Sequence, residues 1–210
     1  MTKKKIKFLA SGDFHSDLKF IEEIKKKVDF SDIDFVVLIG DISDKNDDFS
    51  DLLSIFGDKQ IFMTHGNHET RRHLDVLKDH YNVHFVGEKP VIVEDKVALF
   101  ASEFLELGEM GAFEEVIFED LIKKFDSIKD VKHKVHLSHI PPADTKIANM
   151  SPFYPMIAGS HPQRLFLEQF SPDLTLVGHI HESSGLEEMV NKTKVVNVGK
   201  TYKIFEFDLE

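Results

Sequence analysis

The chain has 210 residues, no cysteine and a formal charge of −11. That length buries a core without staples, and the missing thiols exclude disulfides and zinc-finger-type metal sites. No run approaches the roughly 18–20 apolar residues of a membrane span, and an acidic field opposes long nucleic acid.

A phosphate-bearing partner would therefore need a local positive centre, and 12 histidines make metal ligands worth seeking. The start carries a basic cluster before an apolar stretch too short for a signal peptide. Residues 6–10 read instead as a first buried strand, and a cytoplasmic location is the expectation. Leu18, Ile21, Ile24 and Val28 recur at helical spacing within 17–28. Residues 34–39 form a continuous run, Asp-Phe-Val-Val-Leu-Ile, typical of a strand buried on both faces. A short helix over 49–56 and a strand over 60–63 follow, then a helix over 69–80. These crossovers are long enough for a parallel sheet.

Strands are expected at 83–86, 91–93 and 97–101, the last two joined by a hairpin turn at 94–96. There the pattern shifts toward antiparallel pairing. Residues 104–113 read as loop, 114–128 as an amphipathic helix and 134–138 as a strand. The segment 141–160 holds four prolines and no periodicity, and a loop of that length tends to be functional. A helix over 161–170, with Pro162 in its first turn, precedes strands at 174–177, 194–198 and 203–207. Gly199-Lys200-Thr201 is the turn between the last two. The whole chain, 1–210, reads as one domain with helices outside two packed sheets.

Five strand ends carry one kind of chemistry. They offer Asp13 and His15, then Asp41, then Asn67 and His68, then His139, then His179 and His181. In Asp13-x-His15 and His179-x-His181, extended chain sends both side chains to one side. Gly66 would let the backbone turn sharply after its strand. One face of the sheet could thus collect Asp13, His15, Asp41, Asn67, His139, His179 and His181. Seven such donors exceed one ion and suit two, with a carboxylate shared because its two oxygens can face different metals. The oxygen and imidazole set suits Mn, Fe, Zn, Co or Ni, with manganese first. Two divalent ions against two carboxylates leave a site near about +2, which would hold a phosphate.

These motifs resemble the calcineurin-like metallophosphoesterase family. The matching blocks are Gly12-Asp13-Phe14-His15, Gly40-Asp41-Ile42-Ser43-Asp44, Gly66-Asn67-His68-Glu69, Ser138-His139 and Gly178-His179-Ile180-His181. The resemblance implies an α/β fold, a four-layer α/β/β/α sandwich of two mixed sheets with outer helices. It implies one metal on Asp13, His15, Asp41 and His181, and a second on Asp41, Asn67, His139 and His179, with Asp41 bridging. A hydroxide bridging the metals would attack phosphorus in line, and His68 would protonate the leaving oxygen, oriented by Asp44. Glu69 would be a first-turn helix residue favourable to the dipole. His139-Ile-Pro-Pro142, Gly159-Ser160, Arg164 and Gly178-His-Ile-His-Glu182 with Gly185 are similar to the small-phosphodiesterase branch, including archaeal and MPPED-type members.

The implied activity is hydrolysis of a phosphodiester in a small or nucleotide-like substrate. The alternatives are a phosphomonoesterase or nuclease of the same fold, or a scaffold without catalysis. The phosphoprotein phosphatase branch fits less well, because Gly40-Asp41 is followed by Ile-Ser-Asp-Lys-Asn and not by Val-Asp-Arg-Gly. No membrane partner is expected, and a homo-oligomer stays open. His65, His73, His80, His84, His133, His136 and His161 are read as packed or solvated. Arg71 and Arg72 are read as a solvated first helical turn, with phosphate contact as the alternative, and Phe153 and Tyr154 as pinning the proline-rich loop, with stacking on a base or aryl group as the alternative.

Overall fold

The computed structural model describes residues 4–43, 49–81, 83–102, 114–151 and 159–210. The roles expected for Asp44, for the loop 104–113, for Phe153 and Tyr154, and for the Arg71 side chain lie outside what is described.

The first sheet is built from β1 (Lys5–Ser11), β2 (Phe35–Ile39), β3 (Gln60–Thr64) and β4 (Val83–Phe85), all parallel. The last strand of the chain, β11 (Tyr202–Asp208), pairs antiparallel to β1 and gives the order β11-β1-β2-β3-β4. Every residue of β2 is buried, as its unbroken apolar run requires. The second sheet contains β5 (Val91–Val93), β6 (Val97–Ala101), β7 (His133–Leu137), β8 (Leu174–Val177), β9 (Glu187–Val190) and β10 (Thr193–Asn197). Its order is β5-β6-β7-β8-β10-β9.

Three apolar clusters fill the spaces between layers. Phe8, Val37, Ile39 and Phe62 of the first sheet pack against Leu99, Val135, Leu137 and Leu176 of the second. The opposite face of the first sheet, with Leu9, Val36 and Leu38, packs on Ile21, Ile24 and Leu77. These come from α1 (Leu18–Lys27) and α3 (Arg71–Tyr81). Between them in sequence lies the short α2 (Ser50–Leu53). The outer face of the second sheet, with Phe100, Val177 and Val195, packs on Ile117, Leu121, Phe166 and Leu167. These belong to α4 (Glu114–Ser127) and α6 (His161–Phe170). The result is the four-layer α/β/β/α sandwich. α1 begins where the Asp17 carboxylate accepts the main-chain N–H groups of Lys19 and Phe20, and ends on three lysines that suit the dipole.

The second half of the chain departs from expectation in three ways. Within the second sheet, among the described residues, antiparallel pairing is confined to β5–β6 and β9–β10, whereas β6, β7, β8 and β10 run parallel. Strand β9 carries no alternating apolar signal, because it is an edge strand with only Val190 fully buried. A one-turn helix, α5 (Lys146–Asn149), interrupts the long loop, with Thr145 Oγ1 accepting from Ala148 N. Four residues are too few to show a helical period. The hairpin after β5 is as expected, with Glu94 and Asp95 both left-handed at φ 50° and 56°. Gly199-Lys200-Thr201 carries the chain from one sheet to the other, and a bridge between Gly12 and Gly199 stitches the two sheets at that crossing. The C-terminal ends of β1, β2, β3, β7 and β8 therefore meet at one rim. Among the described residues no helix is long and apolar enough to cross a membrane.

Candidate metal centre

Each strand end on that rim turns abruptly. Asp13, His15, Asp41 and His179 all hold left-handed backbone, with φ of 53°, 47°, 51° and 66°. Non-glycine residues reach this region at a cost of about 1–3 kcal/mol each, and such strain concentrates at functional sites. The surrounding glycines make room for two carboxylates. A Cβ on Gly199 would lie 2.0 Å from Asp13 Oδ2, and one on Gly66 would lie 2.1 Å from Asp41 Oδ1. Gly66 is thus required for close approach; its φ is not left-handed.

The seven expected donors converge from five loops. His139 Nε2 lies 2.9 Å from Asn67 Oδ1 and 3.2 Å from Asp41 Oδ2. His179 Nδ1 lies 3.1 Å from the same Asn67 oxygen. On the other side, His181 Nε2 is 3.2 Å from Asp13 Oδ1, and His15 Nε2 is 3.8 Å from Asp13 and 3.7 Å from Asp41 Oδ2. His139 Nδ1 donates to the Ile39 carbonyl at 2.8 Å, which aims Nε2 into the cluster. Three overlapping groups, Asp13-His15-His181, His15-Asp41-His68 and Asp13-Asp41-His139, each bring ligand atoms within 4.8 Å. His68 stands at the mouth, its side chain 42% exposed and its Nε2 3.9 Å from Asp41 Oδ2. Its ring meets that of His15 edge-on at 4.7 Å.

The electrostatics favour a cation. Burial opposes the charge of Asp13, but bonds from His15 and His181 outweigh it and hold the carboxyl well below its usual range. Asp41 is likewise lowered, against its burial, chiefly by His139. Burial also opposes a charged His139, yet the Asp41 and Asp13 carboxylates raise it to about 9. Burial and that neighbouring charge push His179 down to about 4. Among the described residues, the ion-pair partners of these two buried carboxylates are all histidines; no lysine or arginine neutralises them. Carboxylate, amide and imidazole lone pairs facing one another in this way fit divalent transition metals, which would displace the His139 proton.

Glu69 does not sit where expected. It precedes α3, and its carboxylate turns inward. Oε2 accepts from Gly66 N at 2.6 Å and Asp41 N at 2.9 Å, and Oε1 accepts from Ile42 N at 2.8 Å. Burial and the Asp41 charge raise its pKa, while the three N–H groups oppose the rise. A glutamate just before a helix reads locally as a first-turn residue, and only the approach of the β2 loop reveals the other use. None of the other described histidines belongs to these ligand groups. His136 is buried between Phe100 and Phe166, His133 stacks on Phe207, and His161 is exposed at the start of α6.

A family model described as calcineurin-like phosphoesterase matches residues 6–183. No curated protein matches the chain. Among solved structures, TT1561 of Thermus thermophilus is similar with a TM-score of 0.67 and 18% identity, over 98% of this chain and 99% of that one. GAP50, described as the anchor in the inner membrane complex of Plasmodium, has a TM-score of 0.69 at 12% identity, over 97% and 81%. The phosphopantetheinyl hydrolase of Mycobacterium tuberculosis has a TM-score of 0.61 at 12% identity, over 95% and 90%. At these identities the structural likeness concerns the fold. The family model, in contrast, runs through all five motif-bearing strand ends, and on that match the chain belongs to the calcineurin-like phosphoesterase family.

Proposed function

We propose that the chain is a two-metal phosphodiesterase for a small or nucleotide-like substrate. The observation that carries this reading is the pair of buried carboxylates, Asp13 and Asp41, ringed by histidines and Asn67 with no lysine or arginine partner among the described residues. Asp13, His15, Asp41 and His181 would hold one divalent ion, and Asp41, Asn67, His139 and His179 would hold the other, with manganese the first metal to try. Asp41 would serve both: its Oδ2 faces His15 and His139, and its Oδ1 accepts the His68 main-chain N–H at 2.9 Å. When bound, the ions supply positive charge for the phosphate and lower the pKa of water.

His68, exposed at the mouth, donates a proton to the leaving oxygen; Asp44, outside the described residues, is proposed to orient it. The His139 Nδ1–H bond to Ile39 keeps Nε2 available as a lone pair. The GAP50 likeness keeps an anchoring role as the second reading, since one fold serves both uses. The test is metal analysis of reconstituted protein, followed by turnover of bis-p-nitrophenyl phosphate against p-nitrophenyl phosphate. Two metals per chain and faster diester turnover are expected. His68→Ala should keep both metals and lose on the order of 10²–10⁴-fold in rate. Fewer than one metal per chain, without hydrolysis, would favour the anchoring role.

A further inference from the structure

We infer that Glu69 is a positioning residue that sets the geometry, and hence the metal affinity, of the Asp41–Asn67 half of the site. The inference rests on the two-metal reading above.

Unlike Asp13 and Asp41, Glu69 is described with no histidine partner; its contacts are main-chain N–H groups. Two of these, from Asp41 and Ile42, belong to the loop after β2, and the third, from Gly66, belongs to its own loop after β3. The return contact runs the other way: Asp41 Oδ1, from the β2 loop, accepts His68 N of the β3 loop at 2.9 Å. Each loop therefore lends a carboxylate to the other's backbone. Asn67, which faces His139 and His179, lies between the two anchored residues Gly66 and His68.

A helix-capping role does not account for Glu69. Thr70 takes that place: its Oγ1 accepts from His73 N, and its own N–H donates to His73 Nδ1, both at 3.3 Å. A structural brace unrelated to the ligands fits poorly too, because the braced segment is the strained one. Asp41 is left-handed and follows left-handed Gly40, a conformation that the bonds to Asp41 N and Ile42 N hold in place. Releasing them would let the Asp41 carboxylate swing away from His139 while leaving the sheet core intact.

The test uses the full chain, stripped of metal and titrated with Mn²⁺. Occupancy is read by equilibrium dialysis, and the spin-coupled signal of a manganese pair by electron paramagnetic resonance. Wild type should bind two ions and show coupling. Glu69→Gln places an amide among three N–H donors. It should weaken binding of one ion by about 10–100-fold, the usual effect of losing a ligand's support, and replace the coupled signal with that of isolated ions. Glu69→Asp keeps the charge on a shorter arm and should fall between the two, and it decides the matter if Glu69→Gln does not fold. Ile24→Ala, in the core behind the first sheet, should lower Tm yet titrate like wild type. Glu69→Gln, or failing it Glu69→Asp, titrating like wild type with coupling retained would overturn the inference. A wild type that binds one ion without coupling would instead overturn the two-metal reading beneath it.

Discussion

His136 makes the fold acid-sensitive by a definable amount. It is fully buried on β7, with ring contacts to Phe100 at 5.3 Å and Phe166 at 5.7 Å. Its Nδ1 is 3.5 Å from Thr175 Oγ1, and Nε2 has no hydrogen-bond partner among the described residues. Burial, aided by the Lys124 charge, pushes its pKa down to about 3. The unfolded chain takes that proton near the ordinary value of about 6.5. Between these two values the unfolded state binds one more proton, so stability is lost as the pH is lowered, by about 1.4 kcal/mol per unit. Nothing is lost above pH ~6.5, and about 2 kcal/mol is gone by pH ~5. His136→Leu removes this titration and leaves other groups as they were. Urea unfolding of chelator-treated wild type and His136→Leu at pH 8 and pH 5 isolates the difference. The stability of wild type relative to the variant should drop by about 2 kcal/mol across that interval. A relative stability constant to within about 0.5 kcal/mol would refute the neutral, buried imidazole.

Two further substitutions probe the seam between the sheets. Gly199→Ala puts a Cβ 2.0 Å from Asp13 Oδ2. It should displace that carboxylate and abolish binding of one ion, read by calorimetric titration with Mn²⁺, while circular dichroism stays native. Lys124 of α4 reaches the Gly87 and Ala101 carbonyls and the Asp120 carboxylate from a buried position. Lys124→Met removes the cation from the Gly87 and Ala101 carbonyls and from the Asp120 carboxylate, and should cost on the order of 3 kcal/mol in urea unfolding without changing metal stoichiometry.

What could be read from the sequence follows from how local each signal is. The run at β2 and the period of α1 are properties of a few consecutive residues, and both elements form where expected. The metal-type donors were visible because Asp13-x-His15 and His179-x-His181 are contiguous motifs at strand ends. Strand β9 was not visible, since an exposed edge strand starting Glu187-Glu188 carries no apolar alternation and is defined by its pairing with β10. The parallel course of β6, β7 and β8 was hidden for a similar reason: pairing direction is a long-range property, and the β5–β6 hairpin suggested the opposite. Glu69 shows the limit most clearly. Its neighbours in sequence say helix start, and its neighbours in space are Asp41 and Ile42.

The site lies on a seam, and that links metal binding to the packing of the whole molecule. Asp13, His15, Asp41 and Asn67 come from the first sheet, and His139, His179 and His181 from the second. Polar contacts cross the seam, from donors on the second sheet to acceptors on the first. The His139 ring donates to the Ile39 carbonyl of β2, and the His179 main-chain N–H donates to Asp13 Oδ2 at 3.0 Å. The spacing of donors across the seam is therefore set by the apolar layer between the sheets, where Val37 and Ile39 meet Leu137 and Leu176. Linkage then works both ways: an ion that binds only when both halves are in register stabilises the packed state by RT ln(1 + [M]/Kd). Any core substitution that shifts the sheets against each other must in turn weaken the ion. On the two-metal reading, a buried layer far from solvent would thus carry part of the metal affinity, although none of its side chains can bind a metal.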